Sequence, residues 1–162
     1  MNVLALLGSP RKNGCSAALI DALGTAFVQR GAAVRTVRLQ ELRYSGCTAC
    51  HACKEHAETC VVRDDLSEIL EAAAACDVLV LATPVYFGDV SAQLKGFIDR
   101  MYSFLVPDFH DNPSKSRLAP GKKMVFIQTQ GHPDESAFND LFPRCEFFLR
   151  WYGFNPLMLL RV

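Results

Sequence analysis

The sequence lacks an excess of charge of either sign, because 17 Lys and Arg residues balance 17 Asp and Glu residues among 162. Proteins that bind nucleic acid usually carry a basic face, and a polybasic membrane anchor needs clustered Lys and Arg. The sequence also contains no apolar run near the ~20 residues that a membrane span requires. We therefore expect neither a nucleic-acid partner nor a membrane partner.

The pattern of a secreted protein is missing as well. The first residues lack the basic start of a signal peptide and reach a charged loop by Arg11. The seven cysteines are an odd number and four of them cluster, which favours metal or redox chemistry over a disulfide framework. We therefore expect a cytoplasmic protein, with residues 1–162 forming a single domain.

Short apolar runs alternate with helix-like patterns along the chain. The predicted strands are Val3–Leu7, Val34–Leu39, Asp77–Thr83, Met124–Thr129 and Leu157–Val162. The predicted helices are Ser16–Arg30, Leu66–Ala75, a segment from Ser91 or Ala92 to about Phe104, and about Ser136 to Tyr152. This alternation predicts an α/β fold, a flavodoxin-like, doubly wound, five-stranded parallel sheet of order 2-1-3-4-5 with helices on both faces. Because the pattern ends on a strand, we expect part of one sheet face to be bare or covered by another subunit.

The loop Gly8–Ser16 follows the first predicted strand and leads into the first helix. Such a loop points backbone N–H groups and the positive end of a helix at an anion. Ser16 is a good N-cap residue, while Ser9, Asn13 and Arg11 add polar donors and a positive charge. The loop has neither the lysine of a Walker A motif nor the glycine spacing of a dinucleotide motif. It therefore predicts a site for a single phosphate group.

A second loop, Thr83–Asp89, follows the third strand, which neighbours the first strand in the predicted order. It carries Tyr86 and Phe87 beside Pro84 and Gly88, which together offer aromatic surface and accessible backbone to a flat ring. A phosphate site facing a ring platform at the switch point of a parallel sheet predicts a mononucleotide, and FMN fits this description.

The cysteine-rich loop at residues 44–62 contains Cys47-x2-Cys50-x2-Cys53-x6-Cys60. Four thiolates at this compact spacing suit a 4Fe–4S cluster. They also suit zinc, although zinc sites usually consist of two separated cysteine pairs. A loop without metal is the other alternative, in which Cys53 and Cys60 form a disulfide if their Cα atoms lie within about 7 Å.

Several chemistry-bearing residues outside these loops have ordinary structural interpretations. Cys76 precedes a buried strand and Cys145 lies on an apolar helix, so both are predicted to be core residues. Asp99 and Arg100 predict an ion pair on the face of their helix or a subunit contact, and Lys95 is predicted to lie at the surface.

The three motifs together resemble the NADPH-dependent FMN reductase family, and within it the iron–sulfur flavoproteins. The resemblance is carried by GSPRKNGCS, TPVYFGDVSAQLKGFIDR and the cysteine cluster, and it covers residues 1 to about 105. It implies FMN as cofactor, NAD(P)H or a ferredoxin-like electron donor, and a small-molecule acceptor. It also implies a homodimer or homotetramer in which the cysteine loop of one subunit lies near the flavin of another.

The resemblance also assigns site residues by motif position. The phosphate contacts would be Ser9, Arg11, Asn13, Cys15 and Ser16. The isoalloxazine ring would lie against Pro84, Val85, Tyr86, Phe87 and Gly88, with Thr129 and Gly131 on a third side. The flavin supplies the chemistry, so no catalytic acid–base pair is expected. The alternatives are a cluster-free NAD(P)H-dependent reductase of quinones, flavins or nitro compounds, a non-enzymatic flavodoxin-like electron carrier, and a zinc-stapled binding module without flavin.

Overall fold

A parallel β-sheet forms the centre of the computed structural model, which describes residues 1–162. Its strands are β1 (Asn2–Leu7), β2 (Ala33–Arg38), β3 (Val78–Tyr86), β4 (Asp89–Val90), β5 (Lys123–Thr129) and β6 (Leu157–Arg161). The order is β2-β1-β3-β5-β6, and β4 is a two-residue strand that pairs only with β3. The five long strands are all parallel to their neighbours. The predicted fold class and strand order are therefore confirmed.

Helices cover both faces of this sheet. They are α1 (Cys15–Gln29), α2 (Ala52–Glu55), α3 (Asp65–Ala75), α4 (Ala92–Arg100) and α5 (Leu141–Leu149), with short 3-10 turns at Leu39–Glu41, Met101–Phe104 and Arg150–Tyr152. No helix has both the length and the apolar character needed to cross a membrane.

Alternate residues of the central strands pack into two separate cores. In β1, Leu4 and Leu6 join the core that α3, α4 and α5 complete, whereas Val3, Ala5 and Leu7 join the core under α1. Burial on both faces explains why these strands are continuously apolar in sequence. At the sheet edge, Met158 of β6 is 54% exposed, so this part of the sheet is covered less completely.

The first helix differs from its predicted start. It begins at Cys15 with Gly14 as its N-cap, so the prediction that Ser16 caps it is wrong. Ser16 lies buried in the first turn, where its hydroxyl contacts the Thr129 hydroxyl at 2.7 Å. This tertiary partner replaces the local backbone partner that an N-cap serine uses.

Two other segments differ because local turns interrupt the expected pattern. The second predicted loop, Thr83–Asp89, is a hairpin, in which β3 continues to Tyr86 and pairs with β4. The last helix starts at Leu141 instead of near Ser136. Ser136 bonds through its N–H and hydroxyl to the Asp134 carboxylate, and Phe138 has a φ of 62°, which a right-handed helix excludes.

The strand register places the functional loops at one edge of the sheet. Leu7 pairs with Ala82 near the end of β1, and Pro84 pairs with Thr129 at the end of β5. Because the three strands are parallel, the loops that follow β1, β3 and β5 leave the sheet side by side. This is the edge at which open α/β sheets bind their ligands.

Candidate functional site

The first loop is seated on the start of α4 at Gly8. A Cβ atom on Gly8 would stand 2.8 Å from Leu94 Cβ, 2.8 Å from Ser91 Oγ and 3.1 Å from the Ala82 carbonyl oxygen. The Gly8 N–H donates to that Ala82 carbonyl at 2.8 Å, and the Ser91 hydroxyl donates to the Gly8 carbonyl at 2.7 Å. The absence of a side chain at Gly8 therefore allows the first loop to touch β3 and α4 directly.

A chain of buried hydroxyl groups continues from this contact to the third loop. The Ser91 N–H donates to Thr83 Oγ1 at 2.9 Å, and Ser91 Oγ accepts from the Leu94 N–H at 3.3 Å. The Thr129 hydroxyl lies 3.5 Å from the Thr83 carbonyl oxygen and 2.7 Å from the Ser16 hydroxyl. These contacts join the starts of α1 and α4 to the ends of β3 and β5, so the three loops are held as one unit.

The predicted phosphate residues surround the start of α1. Ser9 is buried and its hydroxyl accepts from the Arg11 N–H at 3.2 Å, whereas Arg11, Asn13 and Cys15 are exposed. The N–H groups of residues 17 and 18 donate to the Gly14 carbonyl, while those of residues 13–16 have no acceptor within the protein. Unpaired N–H groups at the positive end of a 15-residue helix are suited to an anion.

The predicted ring platform is the tip of the β3–β4 hairpin. Phe87 and Gly88 form a two-residue turn with φ values of 51° and 77°. A bulky residue rarely adopts a positive φ, and Phe87 is also fully exposed, so this turn presents a large apolar ring to solvent. Tyr86 is 41% exposed beside it. Arg144 of α5 supports the turn by donating to the Gly88 carbonyl at 3.2 Å.

The third loop is closed by polar contacts behind Thr129. The Gln130 amide donates to the carbonyls of His132 and Asp134 at 3.1 and 2.8 Å, and its oxygen accepts from Arg161 at 2.9 Å. Gly131 lies exposed at the start of this loop, with open space around its Cα. Thr129 is thus bonded into the hydroxyl chain, whereas Gly131 is placed only by the course of the backbone.

The four clustered cysteines line one small hollow. Arg100 at the end of α4 and Tyr102 in the 3-10 turn that follows line it as well. The loop curls tightly around Cys50, because Ala49 and His51 both have left-handed backbone conformations, with φ values of 52° and 57°. The Ala49 N–H lies 3.4 Å from Cys47 Sγ. Backbone N–H groups that point at thiolate sulfur are among the features that tune iron–sulfur sites.

All seven cysteines are free thiols, so the alternative of a Cys53–Cys60 disulfide is not what the structure shows. No three His, Cys, Asp or Glu side chains are arranged to hold a single metal ion. Burial raises the pKa of Cys53, and the nearby sulfurs of Cys60 and Cys47 raise it further, against the opposing effect of Lys54. Cys53 therefore lies close to both Cys47 and Cys60. A 4Fe–4S cluster would be held by four cysteine thiolates. The four thiols that line this hollow fit such a donor set.

Arg100 lies buried beside the cysteine loop instead of on the helix surface. The sequence predicts for it an ion pair with Asp99 on the helix face or a subunit contact, but its side chain is completely buried and pairs with Asp64 at 2.9 Å. Burial lowers the pKa of Arg100, but Asp64 and the nearby Cys60 outweigh that effect and raise it. The spacing contains a clue, because Leu94, Phe97 and Met101 are buried and a residue at position 100 falls on the same helix face.

The remaining residues outside the loops match their sequence-based interpretations only in part. Lys95 pairs with Asp99 at the surface, one turn apart on α4. Cys76 is buried, whereas Cys145 is only half-buried. Burial raises the pKa of Cys145 to about 11, and Asp89 adds to the effect. Neither thiol is disposed for reaction as a thiolate near neutral pH.

Comparison with known proteins connects these features to a family. A model of the family described as NADPH-dependent FMN reductase matches residues 1–144. An iron–sulfur flavoprotein of Archaeoglobus fulgidus is 35% identical over 137 residues, which cover 85% of this chain and 59% of the relative. The chain therefore spans less than two thirds of the length of that curated relative.

Two solved structures have the same fold. An NAD(P)H:quinone oxidoreductase from Methanothermobacter marburgensis has a TM-score of 0.72 at 17% identity, covering 99% of this chain and 82% of that chain. An FMN-dependent NADH-azoreductase from Bacillus anthracis, in complex with FMN, has a TM-score of 0.69 at 13% identity, covering 99% and 84%. At these identities the likeness establishes the fold.

Proposed function

Because the chain belongs to the NADPH-dependent FMN reductase family, we propose that it is an FMN-dependent oxidoreductase that moves electrons from NAD(P)H to a small-molecule acceptor. The observation that carries the proposal is the hydroxyl chain from Ser16 through Thr129 and Thr83 to Ser91. It holds the three loops of a mononucleotide site at the carboxyl ends of adjacent parallel strands, where such ligands bind.

The loops divide the binding of FMN between them. The phosphate is bound at the start of α1 by Ser9, Arg11, Asn13, Cys15 and Ser16. The ring lies against Pro84, Val85, Tyr86, Phe87 and Gly88, with Thr129 and Gly131 beyond it. Since the Ser16 hydroxyl is already bonded to Thr129, Ser16 offers the phosphate its unpaired backbone N–H. Arg11, whose side chain is exposed, supplies the positive charge.

FMN supplies hydride and single-electron chemistry when it is bound. The reaction balances when NAD(P)H loses a hydride, which is two electrons and a proton, and the acceptor gains two electrons and two protons. One of these protons is accounted for by the hydride and the other comes from solvent. The chain binds and orients the reactants: the exposed Phe87 and Tyr86 give the nicotinamide and the acceptor an aromatic surface on which to stack. No side chain of the chain is required to take or give a proton in this scheme.

We further propose that Cys47, Cys50, Cys53 and Cys60 hold a 4Fe–4S cluster. Support comes from the single hollow that all four thiols line and from the likeness to proteins named iron–sulfur flavoproteins. With a cluster of this kind, a ferredoxin-like protein could replace NAD(P)H as donor, because the cluster passes one electron at a time.

A homodimer or homotetramer is the proposed assembly. Phe147 and Phe148 of α5 are 60% and 54% exposed, and an apolar groove of about 570 Å³ runs between α4 and α5 as far as Cys47. Large apolar surfaces of this kind are typical of subunit contacts. Light scattering on the purified protein tests the assembly directly, and a monomeric mass would contradict it.

The decisive experiment is anaerobic purification followed by an absorption spectrum and counts of flavin, iron and acid-labile sulfide per chain. We expect one FMN per chain together with four irons and four sulfides. A yellow protein without iron would refute the cluster and leave a cluster-free reductase of quinones, flavins or nitro compounds. A protein that contains no flavin and binds no added FMN would refute the proposal as a whole.

Steady-state kinetics then separate an enzyme from an electron carrier. Oxidation of NADH and NADPH is followed anaerobically with a quinone, a nitro compound or free flavin as acceptor. We expect direct oxidation of at least one of the two nucleotides. A protein that is reduced by ferredoxin but oxidises neither nucleotide would instead be a carrier.

A further inference from the structure

Arg100 fastens the two ends of the cysteine loop to α4. Its guanidinium donates to the carbonyl of Ser45, before the first cysteine, at 3.1 Å and to the carbonyl of Val62, after the last, at 3.0 Å. It also pairs with the Asp64 carboxylate at 2.9 Å. Through a single side chain, the two ends of the loop are therefore held at a constant separation.

One donor of this guanidinium has no partner. Arg100 Nε is buried and has no hydrogen-bond acceptor within the protein. A buried unpaired donor on a charged group is costly, and native structures rarely leave one without a reason. Arg100 lines the same hollow as Cys47, Cys50, Cys53 and Cys60. The acceptor that this N–H lacks can therefore be supplied from the hollow, by thiolate or by inorganic sulfide.

An ion pair that serves stability alone does not explain this arrangement. Buried ion pairs contribute little net stability, because desolvation offsets their attraction. Asp64 already caps α3 and accepts from the N–H groups of Leu66 and Ser45 at 3.0 and 3.1 Å. Asp64 thus has partners without Arg100. The Val62 carbonyl also accepts from the Ser67 hydroxyl at 3.1 Å, whereas Arg100 is the donor to the Ser45 carbonyl.

We propose that Arg100 is a positioning residue for the cysteine cluster. Arg100 holds both ends of the loop, and it places a fixed positive charge with an unpaired N–H donor against the four thiolates. This inference rests on the 4Fe–4S cluster of the proposed function. Reduction adds one electron to a cluster that four thiolates already make negative. A buried cation beside it stabilises the reduced form, so Arg100 raises the reduction potential.

The test compares four proteins: wild type, Arg100→Gln, Arg100→Lys, and Lys95→Gln as the matched control. Lys95 is a cation on the same helix, but its side chain is half exposed and its partner Asp99 is also at the surface. Each protein is reconstituted anaerobically with iron and sulfide. Three quantities are measured: iron per chain, the midpoint potential of the cluster in a dithionite titration, and the rate at which a chelator removes iron. Bound FMN and the melting temperature serve as checks of the fold.

Arg100→Gln should lose iron to the chelator several-fold faster and have a more negative midpoint potential than wild type. Arg100→Lys keeps the charge but not the planar fork, so it should lose iron faster while its potential stays close to that of wild type. Lys95→Gln should match wild type in both measurements. An Arg100→Gln protein with wild-type potential and iron retention would overturn the inference.

The failure of the cluster and the failure of the inference give different results. If wild type binds FMN but takes up no iron and sulfide, the cluster is refuted and the inference falls with it. If wild type forms the cluster and all variants match it, only the role of Arg100 is refuted. Should Arg100→Gln not fold, Arg100→Lys decides: iron retention equal to wild type would overturn the positioning role.

Discussion

Substitution of Gly8 by alanine tests whether the contact between the first loop and α4 supports the whole site. The added Cβ would lie 2.8 Å from both Leu94 Cβ and Ser91 Oγ, and 3.1 Å from the Ala82 carbonyl oxygen. Two of these neighbours are held in place, since Ala82 lies in the central strand and Ser91 caps α4. The strain cannot be relieved by a flexible side chain, so the first loop or α4 must move.

The expected magnitude follows from the cost of overpacking a close-packed site. Such insertions destabilise proteins by about 1–3 kcal/mol. For a chain of this size each kcal/mol lowers the melting temperature by about 2–4 °C, so Gly8→Ala should melt roughly 2–12 °C below wild type. The displacement also breaks the 2.7 Å hydrogen bond from Ser91 to the Gly8 carbonyl, which should weaken FMN binding.

Gly24→Ala provides the matched control. Gly24 lies inside α1, where a Cβ would meet only Val34 Cγ1 at an ordinary 3.7 Å. Replacing a helical glycine by alanine stabilises a helix by up to about 1 kcal/mol, so this variant should melt at or above the wild-type temperature. Calorimetry gives both melting temperatures, and quenching of flavin fluorescence gives FMN affinity. A Gly8→Ala protein that equals wild type in both would refute the reasoning.

Three further predictions concern single side chains. Ser16→Ala removes the 2.7 Å hydroxyl contact with Thr129 and should lower the free energy of unfolding by about 1 kcal/mol in urea titrations; an unchanged value would contradict the hydroxyl chain. Phe87→Gly removes the steric strain of a left-handed backbone at φ 51°, so it should stabilise the flavin-free protein by about 1 kcal/mol. The same change removes the aromatic ring and should weaken FMN binding. A melting temperature below that of wild type would argue against strain at this position. Burial alone would raise the pKa of Asp64, but the Arg100 hydrogen bond and backbone N–H groups hold this pKa below its usual range. The stability that Asp64 contributes is therefore complete above about pH 4 and is lost as the pH falls through the lowered pKa. The free energy of unfolding of Asp64→Asn should consequently fall less steeply in acid than that of wild type. Parallel curves for the two proteins would contradict this.

The sheet was predictable because each of its strands is recognisable from a short segment of sequence. Each central strand is a short, continuously apolar run, and burial on both faces requires that pattern whatever the partner strand is. Alternation with helices then leaves few arrangements for right-handed crossovers. The ends of α1 and α5 were predicted less well. They depend on tertiary or irregular contacts, such as the Ser16–Thr129 pair, and on the left-handed Phe138, which no periodicity records.

The residues of the candidate site likewise fall into those that the sequence could identify and those that it could not. The motif residues at the ends of β1 and β3 could be chosen from sequence because parallel strand order places their loops together. The roles of Thr83 and Ser91 as links between these loops could not, since each depends on a partner from another loop. Arg100 was misjudged because a charged residue on a helix is usually exposed, and its burial follows from carbonyls more than 35 positions away.

The amino-acid sequence alone determined the α/β fold, its strand order and the chemical character of three loops, because periodicity, turn residues and cysteine spacing are properties of short segments. Tertiary structure decided how those loops are joined: through the close approach at Gly8, a chain of buried hydroxyls from Ser16 to Ser91, and a buried arginine under the cysteine loop. The physical reason is that a hydrogen bond or a packing contact between distant segments exists only after the chain has brought both partners together. The loop after β1, which by sequence could bind almost any phosphate, therefore acquires its specific neighbours from β3, β5 and α4.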